Sequence, residues 1–171
     1  MLNTNRTHAS VATTYKSFIL ECCTNYRRDG VNNTTKSVVE ITLGVAFSRS
    51  LDLNRQIRQG VSFTALTRLQ KQYGLSRSEL LTMLVISQST CRRREIEGKL
   101  SVDEGDKILR YARLLDLALE LVNGNRENAL QWLSTPNREL SGETPLSYAQ
   151  TGAGAEVVRD LIAKIEHGVV I

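Results

Sequence analysis

Apolar residues first recur at helical spacing at Val11, Tyr15, Phe18, Ile19, Cys22 and Tyr26, three and four positions apart. That stripe predicts an amphipathic helix ending at Asp29-Gly30. A polar run, Asn32-Asn33-Thr34-Thr35, reads as a linker. Beyond it Val39, Ile41, Leu43, Val45 and Phe47 alternate with Glu40, Thr42, Gly44 and Ala46, the period of a strand. Val38, Ile41 and Val45 also share one helical face, so periodicity leaves both conformations open here.

From Gly60 the pattern sharpens, and the evident core positions all lie beyond it. A helix is predicted over Phe63–Tyr73, with Leu66 and Leu69 inward and Gly74 as its left-handed stop. Ser76-Arg77-Ser78-Glu79 has the form of a capping box and opens a short helix through Leu80, Leu81 and Leu84. Val85-Ile86-Ser87 separates it from a second short helix, Gln88–Glu97, capped by Ser87 and closed by Gly98. Ser101 caps a longer helix to Val122, with Asp103 and Glu104 favouring its dipole. Its inner face is marked by Ile108, Leu109, Ala112, Leu115, Ala118, Leu119 and Val122. Asn125 caps a helix bearing Ala129, Leu130, Trp132 and Leu133, and an irregular loop runs from Thr135 to Glu143. Thr144-Pro145 is a cap with proline at the first helical position. The last helix is predicted over Gly154–Glu166, buried through Val157, Val158, Leu161, Ile162 and Ile165. It ends at His167-Gly168 and leaves an apolar tail, Val169-Val170-Ile171.

Composition supports an all-helical, globular reading. Of 171 residues, 41% are apolar and 23% charged, and proline occurs only at Pro136 and Pro145. No apolar run approaches the roughly 18 residues of a membrane span. Met1–Ser10 is polar and lacks the apolar core of a secretion signal, so a cytoplasmic location and no membrane partner are expected. Cys22 and Cys23 are adjacent and Cys91 stands alone, which is neither a disulfide framework nor a zinc pattern.

Charge divides the chain. Residues 1–100 carry 15 Lys/Arg against 7 Asp/Glu, whereas residues 101–171 carry 7 against 11. A basic front half suits a polyanion partner, and an acidic rear half suits another task.

The paired short helices give that division a location. Their lengths and three-residue turn have the proportions of a helix-turn-helix, whose second helix enters the major groove. Gln88, Ser89 and Arg92 would then meet base edges, where Gln reads adenine and Arg guanine. Arg93 and Arg94 would reach phosphates. A plain helical hairpin with a solvated basic face is the alternative.

Catalysis finds no support. His8 and His167 have no partner at a recognisable spacing, and no metal set or cofactor is expected. Gly152-Ala153-Gly154 lacks the preceding strand and third glycine of a dinucleotide loop; on this reading Gly152 ends one helix and Gly154 begins the next. Trp132 suits either the core or an interface. The apolar tail suits either packing on its own domain or binding a partner.

Three stretches resemble the Xre/MbcA/ParS-type antitoxins. Ser87–Leu100 with Ser101-Val102-Asp103-Glu104-Gly105-Asp106 is similar to the recognition helix and the link after it, with Gly105 in place of the usual Ser. Ala129–Leu133, Pro136 and Leu140-Ser141-Gly142-Glu143-Thr144-Pro145-Leu146 resemble the segment Ala-x-x-Trp-Leu…Pro…Leu-Gly-Gly-x-x-Pro-Leu. Gly154–Val158 with Ile165–Val169 resembles the closing helix and tail. The likeness runs from about Val61 to Ile171.

The resemblance implies an all-α fold: a helix-turn-helix domain at 61–122 and a toxin-binding, dimerising domain at 123–171, after an N-terminal extension at 1–60 of uncertain structure. It implies a non-enzymatic antitoxin of a type II pair, a homodimer that covers the active site of a RES-domain, NAD-consuming toxin and represses its own promoter DNA. Toxin contact is then expected from Glu166, His167, Gly168, Val169, Val170 and Ile171. A repressor without a toxin partner, or an inhibitor that no longer binds DNA, would share much of this pattern.

Overall fold

The computed structural model describes residues 37–44, 55 and 57–168. The predicted helix at Val11–Tyr26, the polar run Asn32–Thr35 and the tail Val169–Ile171 lie outside the described residues. Within them the chain is all helical: α1 Val38–Leu43, α2 Thr64–Tyr73, α3 Arg77–Leu84, α4 Gln88–Glu97, α5 Val102–Leu121, α6 Arg126–Ser134, a 3-10 turn at Arg138–Leu140, α7 Pro145–Tyr148 and α8 Gly152–Glu166. Residues 57–59 are also helical.

Local capping sets these boundaries. The side chains of Ser37, Ser76, Ser87, Ser101, Asn125, Thr144 and Thr151 each accept a backbone N–H from the third residue on. Each cap satisfies one amide that the first helical turn leaves without a partner. Gly44, Gly74 and Gly98 end their helices in the left-handed region.

α5 is the central post. It buries Ile108, Leu109, Tyr111, Ala112, Leu114, Leu115, Ala118 and Leu121, more than one stripe of its surface. Helices α1, α2, α3, α6 and α8 pack directly against it, and α7 bridges α6 and α8. Two tyrosines tie these layers together. The Tyr73 hydroxyl donates to the Tyr111 carbonyl at 2.7 Å, and the rings meet edge to face with centroids 6.4 Å apart. The Tyr111 hydroxyl lies 3.1 Å from the Met83 carbonyl of α3 and 3.2 Å from the Leu146 carbonyl of α7. Burial holds both phenols in the protonated, donating form, with the Tyr111 pKa pushed up to about 12 and that of Tyr73 also raised well above its ordinary value.

The core begins earlier than the pattern indicates. Val38, Val39, Leu43 and Ile57 are buried members of it, ahead of Gly60. The segment from Val38 is a helix whose inward face is Val38, Val39, Thr42 and Leu43, with Ile41 turned outward. Asp116 of α5 explains this choice, because its carboxylate accepts the backbone N–H of Val38 at 2.5 Å and of Val39 at 3.2 Å. At the other end, a β-carbon on Gly44 would run into the Arg68 guanidinium, which lies over the close of α1.

Three further expectations are corrected at α8 and α5. α8 begins at Gly152 rather than Gly154, because Thr151 supplies the cap. Gly154 lies inside the first turn, where a β-carbon would collide with the Tyr148 carbonyl of α7; the glycine permits that close approach. Val157 is 44% exposed and not part of the inner face, which is Val158, Leu161 and Ile162. Leu119 is only partly buried. Trp132 takes the core alternative, at 3% exposure, with its indole N–H unpartnered.

Candidate nucleic-acid interface and partner-binding end

α3 and α4 form a tight pair. Val85 turns the chain in the left-handed region, at φ 54°, and Ile86 is buried beneath the turn. The Ser87 side chain accepts from the Thr90 amide at 3.1 Å and so sets the first turn of α4. Cys91 is the one fully buried residue of α4, which packs as a small apolar group. Arg77, at the start of α3, donates to Glu95 at 2.7 Å and to the Cys91 sulfur at 3.2 Å, pinning one helix across the other. That guanidinium also holds the Glu95 carboxyl below the usual range.

A second clamp holds the far end of α4. The Phe63 amide donates to the Gly98 carbonyl at 3.0 Å and the Leu100 amide to that of Val61 at 2.8 Å, so residues 61–63 run antiparallel to 98–100. Val61 can lie close to α5 because Gly105 has no side chain: a β-carbon there would fall 2.9 Å from a Val61 methyl.

These clamps place the sequence-predicted residues differently. Gln88, Ser89, Arg92 and Arg93 all face solvent, and the pairs 88/92 and 89/93 are four apart and share one side of α4. Arg93 makes a loose ion pair with Glu97 at 3.8 Å, and Arg92 makes none among the described residues. Arg94 is turned the other way. Its guanidinium donates to Glu97 at 2.7 Å and to both oxygens of Glu104 at 2.8 and 3.1 Å, with its side chain only 20% exposed. Two carboxylates already satisfy this arginine, so it holds α4 against α5 rather than presenting a charge to a phosphate.

Glu104 does more than the helix dipole requires of it. Besides binding Arg94 it accepts the Ser101 amide at 2.7 Å, while its own amide donates to the Ser101 hydroxyl. The Ser-x-x-Glu spacing at Ser101–Glu104 is the same capping-box signal as that at Ser76–Glu79, and it marks this residue in the sequence.

At the other end of the molecule α8 finishes with Glu166, His167 and Gly168 exposed. Gly168, at φ 66°, redirects the chain. The Glu166 carboxylate lies near Glu120 of α5, whose pKa is raised by burial first and by Glu166 next, so this corner is acidic. Val169, Val170 and Ile171 lie outside the described residues. Also among the described residues, no group of His, Cys, Asp and Glu could hold a metal ion, and no helix is long and apolar enough to cross a membrane.

A capped helix pair braced on a long helix, followed by a second small helical unit, defines a helix-turn-helix protein with an appended binding domain. Residues 52–113 match the antitoxin Xre-like helix-turn-helix domain, and residues 118–168 match the antitoxin Xre/MbcA/ParS C-terminal toxin-binding domain. Antitoxin Xre of Photorhabdus laumondii is 35% identical over 130 residues, covering 75% of this chain and 88% of the relative. Antitoxin Xre of Yersinia enterocolitica is 34% identical over 128 residues, covering 74% and 86%. That of Pseudomonas putida is 28% identical over 120 residues, covering 68% and 72%. The chain belongs to the Xre antitoxin family.

Proposed function

We propose that this antitoxin neutralises a RES-domain, NAD-consuming toxin by covering its active site, and that it represses its own operon by binding promoter DNA as a homodimer. The observation that carries the DNA role is the solvent-facing set Gln88, Ser89, Arg92 and Arg93 on a helix braced through Cys91, Arg94 and Glu95. Preorganisation of that kind lets base contacts form without ordering the protein first. A two-fold protein presents two such helices, so the operator is a near-palindrome with half-sites about one helical turn apart. In this reading residues 61–122 serve DNA and 123–171 serve the toxin and the dimer contact, while 1–60 precede them and lend Val38, Val39, Leu43 and Ile57 to the same core. The protein supplies no catalytic group and needs no cofactor.

The toxin role is supported by the acidic, exposed close of α8. Glu166, His167 and Gly168 are exposed, and the apolar residues Val169, Val170 and Ile171 follow them in the sequence. A short apolar segment can fill the mouth of a substrate pocket, while Glu166 pairs with a basic group that otherwise binds phosphate. Such a charged contact is worth several-fold to many-fold in affinity once water is excluded.

Co-expression with the toxin gene of the same operon tests this. Deleting residues 168–171 is expected to leave a folded, promoter-binding protein that no longer protects cells. Full protection by the deleted form would place inhibition on the helices instead. A full-length chain that binds the promoter yet protects against no RES-domain toxin would make it a repressor alone.

A further inference from the structure

We propose that Ile96 is a base-reading residue that recognises the 5-methyl group of a thymine, lengthening the reading stripe of α4 by one position. This rests on the proposed entry of α4 into the major groove.

Ile96 is 82% exposed, the most exposed large apolar side chain among the described residues. It contributes nothing to the core, to which α4 supplies Cys91 instead. Its position is the informative point. Gln88, Arg92 and Ile96 recur every four residues, so they lie in one row along the exposed side of the helix. Each step is about 6 Å of helix, close to two base pairs at roughly 3.4 Å each. A helix lying along a groove would therefore set these three side chains against successive short intervals of one strand.

The surroundings suit DNA and no apolar partner. Ile96 is flanked by Glu95 and Glu97, but both acids are held by arginines of the same chain: Arg77 binds Glu95 at 2.7 Å, and Arg94 binds Glu97 at 2.7 Å. Arg93 adds a longer ion pair with Glu97. With their carboxylates drawn aside, the row facing outward is an amide, a guanidinium and a branched alkyl group. A polyanion carrying hydrogen-bonding base edges complements the first two. In the major groove the base that offers an apolar surface to the third is thymine, through its methyl. The basic balance of residues 1–100, 15 Lys/Arg against 7 Asp/Glu, supplies the long-range attraction.

The experiment uses the full chain and duplexes enriched from a random-sequence DNA pool. Each thymine of the enriched half-site is then replaced by deoxyuridine, which removes only the methyl group. At one thymine the parent protein is expected to lose about fourfold in affinity, the effect of one buried methyl. Ile96→Ala is expected to bind the thymine and uracil duplexes equally, at the level of the parent on uracil. Ile96→Val keeps a branched side chain and is expected to retain the preference. Because Ile96 is solvated, thermal melts of both variants are expected to match the parent. Indifference of the parent to uracil at every position would overturn the assignment while leaving DNA binding intact. Equal weakening of Ile96→Ala on both duplexes relative to the parent on uracil would do the same. Failure to enrich any DNA would overturn this assignment together with the DNA role on which it rests.

Discussion

The Nε–H of Arg94 is shared between the two carboxylate oxygens of Glu104, at 2.8 and 3.1 Å, where α4 meets the first turn of α5. Both groups are largely shielded, with side chains 20% and 10% exposed. Glu104 also completes the cap of α5, so one carboxylate orients two helices. Removing Glu104 leaves Arg94 with Glu97 alone at 2.7 Å, and takes away both the α4–α5 contact and the side-chain half of the α5 cap. Glu104→Ala is therefore expected to lower unfolding stability by about 1–3 kcal/mol, read as a lower urea midpoint. A midpoint equal to the parent's would show that α4 is oriented by its other clamps.

Arg92 and Arg93 should behave in the opposite way. Their side chains are exposed, so the double replacement Arg92→Ala and Arg93→Ala is expected to leave the unfolding free energy within about 0.5 kcal/mol of the parent's. Promoter affinity is expected to fall and its salt dependence to flatten, by a log–log slope of roughly one for each phosphate no longer neutralised. Unchanged gel-shift affinity would remove α4 from the interface.

The two glycines at the start of α8 make a paired test. At Gly154 a β-carbon meets the Tyr148 carbonyl, whereas at Gly152 nothing lies within 4 Å. Gly154→Ala is expected to cost roughly 2–3 kcal/mol through forced separation of α7 and α8. Gly152→Ala is expected to be neutral or slightly stabilising, by up to about 1 kcal/mol. Equal thermal shifts for the two variants would contradict the close approach.

Alkaline pH should loosen the joint at Tyr111. Its folded pKa, near 12, exceeds the ordinary 10.0, so the folded state holds the phenolic proton more tightly than the unfolded chain. For a raised pKa, stability is whole below the unfolded value and is lost as pH rises through the folded one. Unfolding free energy is thus expected to decline between pH 10 and about 12. Tyr111→Phe, without the hydroxyl that bonds to α3 and α7, should be less stable at neutral pH yet show a shallower alkaline decline. Helical signal and tyrosinate absorbance followed together in a titration would test this, and a decline of equal steepness in parent and variant would count against it.

Helix boundaries are legible because caps act within three residues: Ser76, Ser87, Ser101, Asn125 and Thr144 announce their helices in the sequence itself. The inward row of α5 is legible for the same local reason, a 3.6-residue period. What escapes is set by contacts across the fold. Nothing near Val38 says that Asp116, 78 positions away, will accept its amide and that of Val39, and so hold that segment as a helix. Gly154 looks like a helix boundary until the Tyr148 carbonyl is seen beside it. On α4 three consecutive arginines are identical in pattern, and only the placement of Glu97 and Glu104 separates Arg94 from Arg92 and Arg93.

The two family domains meet between residues 113 and 118, inside the uninterrupted α5 of Val102–Leu121. A covalent hinge is therefore missing at the one place where modules are ordinarily joined. Recombination that traded the rear unit for another would have to splice mid-helix, keep its phase of about 100° per residue, and preserve the packing on both sides. Partner choice in this lineage should accordingly drift by point substitution on the rear surface more readily than by wholesale exchange of the unit.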